Sequence, residues 1–471
     1  MAFQILSLEN KKITISDESL NEFKSRLRGE IILPGNERYE VERKIWNGMI
    51  DKKPGMIVLC RGSSDVIHSI RFAREHNLLV SVRGGGHNVA GNAVCNGGMM
   101  ISLAYMKGII VNPVERTAIA QPGVTWNDFD KETQLFGLTT PGGIVSTTGI
   151  AGFTLGGGFG WFTRKFGFAS DNLISVDVVT AEGKFLTANE TEYSDLFWAV
   201  RGGGGNFGIV TSFKFKLHPV GPNVTAGLIA YHGKEAREVY NFFKEFNEKS
   251  PVELGAVLIF RLAPAAPFLP KEIHGKPIAG IAVCYCGKPE DGLKIVEPIK
   301  KFGNPIVDTI GIKPYLAHQS MFDAGQLSGN QYYWKSEYLH SLEDGFRDSA
   351  ISYFEQITSP VTIIAVANIN RNQNIILDSA ASHRSATFIL NINTGWENPN
   401  ENEKHIKWAR DFWNEIRPYS TGGVYVNFIS EDEGEDRVKA AYGSNYERLV
   451  SLKNKYDPTN FFRLNQNIKP K

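Results

Sequence analysis

Hydrophobic positions along the chain fall into two textures. Up to about residue 220 they come as short apolar runs separated by glycine-rich turns. "GMIVLC" (55–60) and "LLVSVR" (78–83) read as buried strands. Between them, "SSDVIHSIRFAREHNL" opens on Ser/Asp cap candidates and places Val66, Ile67, Ile70 and Phe72 at helical spacing. Residues 50–110 thus predict a βαβ-like unit with "RGGGHN" (83–88) at the C-terminal end of a strand, where such units commonly receive ligands. From about 221 to 415 the pattern alternates instead. "GAVLIFRLAP", "IAGIAVCYCG", "VTIIAVANIN" and "SATFILNINT" predict an antiparallel sheet, with "EAREVYNFFKEFNEK" and "EKHIKWARDFWNEIRPY" as helices covering one face. The tail, from "GEDRVKAAYG" onward, returns to helix and ends rich in asparagine.

Glycine is concentrated in three clusters within the first 210 residues: 83–98, 141–160 and 201–208. Gly203 to Gly208 satisfies G-x-G-x-x-G, but "IVTSFKFKL" follows it, a β-branched alternating run. A dinucleotide fingerprint needs a helix there, whose N-terminal N–H groups meet the pyrophosphate. The context excludes that use. What remains is glycine's lack of a Cβ, which lets a large flat ligand approach the main chain, or lets a compact β fold turn its corners. His87 follows three glycines with no second histidine or cysteine at ligand spacing, so no metal is expected. A neutral imidazole near pH 7 keeps a lone pair for hydrogen bonding or for nucleophilic chemistry.

The 471 residues allow two or three domains, and the net charge of +1 gives no electrostatic reason to expect nucleic acid or an anionic membrane as partner. No apolar run approaches the ~20 residues of a membrane span, and the first residues lack a secretory pattern. Four cysteines make no disulfide framework, so a cytoplasmic location is expected. Cys284 and Cys286 alternate along one strand and read as two small core residues.

"SVRGGGHNVAG" (81–91), the 142–183 stretch "GGIVSTTGIAGFTLGGGFG…", "DLFWAVRGGGGNFGIVTSFKFKLHPV" (195–220) and the terminal "NYERLVSLKNKYDPTNFFRLNQNI" together resemble the berberine bridge enzyme-like branch of the vanillyl-alcohol oxidase superfamily, FAD-linked oxidoreductases. The likeness covers nearly the whole chain in order and is vaguest between about 225 and 380. It implies an α+β, two-domain fold. A PCMH-type FAD-binding domain would comprise residues 1–220 (core about 50–220) plus the 430–471 tail, and 221–429 would form a substrate domain of antiparallel sheet covered by helices. It implies FAD bound by Arg83, Gly84, Gly85, Gly86, His87, Asn88, Thr147, Thr148, Gly149, Gly152, Gly157, Gly160, Gly208, Ile209, Asn465 and Asn467. His87 matches the histidine that is covalently attached to the flavin 8α-methyl in that family.

Two departures from the family pattern, and one residue that keeps to it, shape the expected chemistry. Val145 stands where many members carry a second, cysteinyl anchor, so a single covalent bond is expected, as in the bacterial 6-hydroxy-D-nicotine oxidase type. Phe159 in "GGGFG" and Phe428 in "YVNF" replace the two tyrosines that members oxidising alcohols use. Third, Asn391 falls where a carboxylate or amide is presented over the flavin, and an asparagine is no base at neutral pH. An alcohol needs a base as its hydride leaves, whereas an amine's lone pair can drive the loss, so C–N oxidation gains ground. Candidate catalytic groups are Lys335, Asn391, Tyr333 and Tyr425, the last expected to face away from Phe428 in an alternating strand. "QYYWKSEYL" also reads as sheet-core aromatics with a snorkelling lysine. The expected activity is oxidation of a small amine or alcohol, with oxygen, admitted beside Thr148, as acceptor. A dehydrogenase using another acceptor and a flavin-binding protein that has lost turnover stay open. An NADPH-fed reductase is disfavoured, since no second nucleotide motif is visible.

Overall fold

The βαβ pattern of the N-terminal half forms with one insertion. In the computed structural model, which describes residues 3–266, 269–369 and 378–471, strand Met56–Leu59 leads into helix Ser63–Glu75 and then strand Val80–Arg83. These two strands do not touch: Met99–Ser102 lies between them and pairs parallel with both. Glu30–Ile32 adds an antiparallel edge. The helix buries Val66, Ile70 and Ala73 on the sheet, the i, i+4, i+7 face of its pattern. Strand Val80–Arg83 ends where "GGGHN" begins.

A second, antiparallel sheet of five strands orders Phe185–Asn189, Leu173–Val179, Ile209–Lys216, Thr117–Ala120 and Ile109–Asn112. The glycine run at 202–208 makes a short 3-10 turn and enters strand Ile209–Lys216 directly, with no helix. Trp126, Phe129, Phe197, Phe207 and Phe213 fill the core beneath this sheet. Val424, Val426 and Ile429 join that same core, as do Tyr442, Leu449 and Ile468 of the tail. The chain therefore returns to its first half by residue 424.

The alternating runs build an antiparallel sheet of eight strands. Its main path runs Val307–Asp308, Asn223–His232, Pro277–Tyr285, Leu254–Leu262, Ile363–Asn368, Phe388–Trp396 and Gln331–Leu339, and Gly311–Pro314 also pairs with Asn223–His232. The "VTIIAVANIN" run supplies Ile363–Asn368, and its final residue, 370, lies outside the described residues. Period-two alternation sorts the side chains to two faces. Leu258, Phe260, Ile364, Val366, Leu390 and Ile392 pack under helices Ala236–Lys249, Asp344–Phe354 and Asn402–Ile416. The first of these helices buries Ala236, Val239, Tyr240 and Phe243, an i, i+3, i+4, i+7 stripe. Each such aromatic contributes roughly 2 kcal/mol of apolar burial. The opposite face turns towards the glycine-rich loops. Cys284 and Cys286 are buried together on that side, among aromatic and aliphatic residues.

The C-terminal tail is pinned by a fully buried ion pair. Lys453 Nζ donates to Asp457 Oδ2 at 2.7 Å, to Asn206 O at 2.9 Å and to Phe462 O at 3.0 Å. Asp457 in turn accepts from the N–H groups of Phe461 and Phe462. Every hydrogen of the ammonium thus has a partner, which burial of the charge demands. The network ties the last twenty residues to the loop that precedes strand Ile209–Lys216.

Candidate active site

The loop after Val80–Arg83 is pressed against a second loop. A Cβ on Gly85 would stand 2.5 Å from the Gly149 Cα, and one on Gly84 would stand 3.1 Å from Pro122 O. These glycines serve loop-to-loop contact as much as any ligand, a use the sequence did not separate from the other. Gly86 adopts φ +72°, a left-handed conformation that suits glycine. By contrast, Gly152 and Gly205 have no protein atom within 4 Å of a Cβ position, so both leave open space on a wall.

His87 is held by a stack of rings. Its imidazole lies 4.2 Å from the Trp46 indole at 18°, and Trp46 stacks in turn on Tyr332 at 3.8 Å and 14°. Trp46 N–H donates to Gly86 O, and its indole N–H donates to Gln326 O. Asn47 completes the latch: its amide donates to Val89 O and Tyr332 O and accepts from Tyr332 N–H. Residues 46–47 thus clamp the histidine loop to strand Gln331–Leu339. Burial lowers the His87 pKa to about 4, so the ring is neutral at pH 7, and among the described residues its Nε2 has no hydrogen-bond partner.

Between the loops and the sheet lies a cavity of about 320 Å³. Gly84, Gly85, Gly86, His87, Asn88, Thr148, Gly149, Gly152, Gly208, Ile209 and Asn465 line it. Five of the expected cofactor contacts lie outside the lining. Arg83 turns back to donate to Glu42 O beneath the loop. Thr147 is exposed. Gly157 and Gly160 serve backbone turns; a side chain on Gly160 would collide with Gly142 O. Asn467 lines a neighbouring cavity of about 220 Å³, which shares Asn92, Asn465 and Gln466 with the first. Val145 lines the main cavity at the expected position of a second anchor, while Cys95 is buried outside the lining. Open space over Gly152 and Gly205, the unpartnered Nε2 of His87 and the unpartnered Oδ1 of Asn465 all fit a large flat cofactor with polar edges such as FAD.

The sheet face above is apolar and amide-bearing. Val257, Ile259, Ile363, Ala365 and Ile389 alternate with outward residues, and Asn391 and Asn393 continue the inward set. Asn391 lines the cavity from strand Phe388–Trp396. Lys335 and Tyr333 do not: they are on the other face of strand Gln331–Leu339, because even positions such as Trp334 face inward. Lys335 lies 3.4 Å from Glu433 and 3.7 Å from Asp432, and Tyr333 OH donates to Asp432. Both belong to an ion-pair network under helix Asn402–Ile416, and neither reaches the cavity.

Tyr425 also departs from expectation. Val426–Phe428 is a 3-10 turn, with Phe428 N–H donating to Tyr425 O. Residues three apart then share a side. The rings of Tyr425 and Phe428 meet edge-to-face at 4.8 Å, Phe159 packs 5.1 Å from Tyr425, and all three line the cavity. The Tyr425 hydroxyl accepts from Gly158 N–H and from the Asn427 amide, and burial raises its pKa far above the usual value. Among the described lining residues there is no Asp, Glu, Lys or Arg. Trp46, Gln326, Trp334 and Asn393 were not singled out from sequence; period-two reading of "QYYWKSEYL" could have found Trp334, and the spacing Asn391–Asn393 could have found the second amide.

A glycine wall facing an apolar sheet, with a buried imidazole between, suits a flavin-dependent oxidoreductase. Comparison with known proteins agrees: residues 54–189 match the FAD binding domain model, and residues 424–469 match the berberine and berberine-like model. An FAD-linked oxidoreductase of Dictyostelium discoideum is 29% identical over 98% of this chain and 99% of its own length. The (R)-6-hydroxynicotine oxidase of Paenarthrobacter nicotinovorans is 27% identical over 94% of this chain and 97% of its own. The crystal structure of 6-hydroxy-D-nicotine oxidase from Arthrobacter nicotinovorans shares the fold, with a TM-score of 0.84 at 24% identity over 94% of this chain and 98% of that one. Over nearly its whole length the chain is thus similar to FAD-linked oxidoreductases, with an FAD binding domain match in its first half and a berberine-like match at its C-terminal end. No helix among the described residues is long and apolar enough to cross a membrane.

Proposed function

We propose that the protein is an oxidase of small amines, with FAD held through one covalent bond to His87 and oxygen as the electron acceptor. Bound FAD supplies a two-electron acceptor for the substrate hydride, and oxygen restores it with release of peroxide. The observation that carries the preference for amines is the lining around Phe159 and Phe428, where no described residue supplies a carboxylate or an amine to take a proton and His87 is reserved for the flavin bond. Tyr425 stays protonated there, and Asn391 has no basic lone pair at that pH. An alcohol needs a base in the transition state. A neutral amine forms its C=N bond with its own lone pair as the C–H bond breaks, so the chain need only orient the carbon and exclude water.

The single anchor rests on Val145 at the second-link position and on the neutral, unpartnered imidazole of His87, whose stack with Trp46 fixes the ring plane. Four buried cysteines without disulfides support a reducing compartment, the cytoplasm, as its location. Two alternatives follow from the same lining: a dehydrogenase with a non-oxygen acceptor, and a flavin-binding protein with weakened turnover.

Acid precipitation tests the anchor. The wild-type and Cys95→Ala pellets are expected to be yellow and His87→Ala colourless; free flavin in the wild-type supernatant would sink the covalent bond. Anaerobic mixing with matched pairs of amines and alcohols tests the chemistry. Bleaching of the flavin by the amine of a pair, with peroxide formed on admitting air, is expected. Bleaching by alcohols alone would overturn the amine assignment. Bleaching without peroxide would replace the oxidase by the dehydrogenase, and no bleaching across the panel would favour the binding protein.

A further inference from the structure

The amides of the sheet face are arranged as a receptor. Asn393 Nδ2 donates to Gln326 Oε1 at 3.3 Å, joining a strand to the turn before the next one. That bond leaves Asn393 Oδ1 and Gln326 Nε2 buried without partners among the described residues, one an acceptor and the other a donor. The two side chains belong to residues only 8% and 4% exposed. Asn391, two residues back on the same strand face, adds a second buried acceptor, Oδ1, with no partner among the described residues. Leaving three such atoms unpaired is costly, since each forfeits the water it bonds in the unfolded chain. The surrounding surface is Val257, Ile259, Ile363 and Ala365, with Trp334.

An apolar enclosure without a described charged side chain penalises an ionised guest and welcomes a neutral one. Unpaired donors and acceptors confer selectivity by rejecting molecules that fail to pair with them. We infer that Gln326, Asn391 and Asn393 select an uncharged, flat substrate that presents a hydrogen-bond donor beside an acceptor, as a carboxamide or lactam does, on an apolar ring. The inference rests on the flavoprotein reading above, names the substrate class of that same site, and requires an amine donor to enter in its neutral form. Gln326 and Asn393 act in it as specificity residues, binding the guest by its polar edge while the sheet face holds its apolar body.

Three probes of one shape and different charge test it: benzamide, benzoate and benzamidinium, titrated into the flavin-loaded protein while flavin absorbance is followed. Benzamide is expected to bind at least tenfold more tightly than either ion. Gln326→Leu is expected to weaken benzamide about fivefold to tenfold with unchanged flavin content. Asn391→Asp, nearly the same shape, is expected to improve benzamidinium at least tenfold and to weaken benzoate. Benzoate or benzamidinium binding as well as benzamide to the wild-type protein would overturn the inference. So would loss of flavin from Gln326→Leu when its melting temperature is unchanged, because the amides would then serve the cofactor. Wild-type protein that purifies without flavin would instead overturn the flavoprotein reading itself, a result visible before any probe is added.

Discussion

The indole of Trp46 lies 4.2 Å from the imidazole of His87 and nearly parallel to it, with Tyr332 also stacked on the indole at 3.8 Å. Trp46 thereby fixes the plane in which His87 presents its ring nitrogens, and it does so from a segment forty residues away. Trp46→Ala is expected to cost about 3 kcal/mol of stability, in the range for truncating a buried aromatic. It should also lower the covalently bound flavin fraction, read from the colour of the acid pellet. Trp46→Phe, which restores a stacking ring, should recover most of both. Full covalent loading in Trp46→Ala would show that the stack does not orient His87.

Glycines that meet protein and glycines that face the cavity should behave oppositely. Gly85→Ala forces a contact of 2.5 Å with the Gly149 backbone and is expected to destabilise the protein by about 2 kcal/mol or more, whether or not flavin is bound. Gly152 lies within helix Ile150–Leu155, where alanine gains about 0.5–1 kcal/mol over glycine and meets no protein atom. Gly152→Ala should therefore melt no lower than wild type when free of flavin yet, in a His87→Ala background where no bond forms, hold flavin several-fold more weakly. Unchanged flavin affinity in Gly152→Ala would show that the cofactor does not cover that wall.

Lys453 and Asp457 are both fully buried, so removing one partner strands the other charge. Lys453→Met is expected to destabilise by about 3–5 kcal/mol, measured by urea unfolding, and to release the Asn206 and Phe462 carbonyls it holds. The double variant Lys453→Met/Asp457→Asn should recover part of that loss. No recovery would mean that the ammonium's bonds to the two carbonyls carry the effect.

Asp130 provides a pH signature apart from the site. Burial raises its pKa to about 8; Thr139 donates to Oδ1, while Oδ2 has no partner among the described residues. The folded pKa exceeds the ordinary value of 3.8. The fold therefore favours the protonated acid, and this contribution is full below about pH 4 and lost as pH rises through 8. Asp130→Asn imitates the protonated form at every pH. It should leave stability near wild type at pH 4 and gain steadily as pH rises to 8, by about 6 kcal/mol at most above that pH, read from melts across that range. A gain independent of pH would show that the carboxyl does not titrate there.

Much of this architecture was legible because the hydrophobic period changes where the fold changes. Ala236–Lys249 and Phe388–Trp396 follow from spacing alone, and a strand rather than a helix follows the 201–208 glycines, as the alternating run predicts. The parallel insertion of Met99–Ser102 was not legible, since pairing between distant strands leaves no local trace. At the site, the motif located His87, but Trp46 carries no signal: its role arises only when two distant segments meet. Lys335 was misplaced because the face of a strand depends on register, and one residue's shift exchanges the faces. Tyr425 was misplaced because a 3-10 turn, unlike a strand, puts residues three apart on one side.

The knot around Lys453 also sets an order of events during synthesis. Phe462, Leu464, Asn465 and Gln466 form part of the cavity wall, and Lys453 secures them to the Asn206 loop. While the chain is still emerging from the ribosome, the glycine loops and the sheet can fold, but the wall between them is missing its last panel. A cofactor arriving early would meet a half-open groove. Its enclosure, and any bond to His87 that depends on enclosure, must wait until residues 453–466 have emerged and docked.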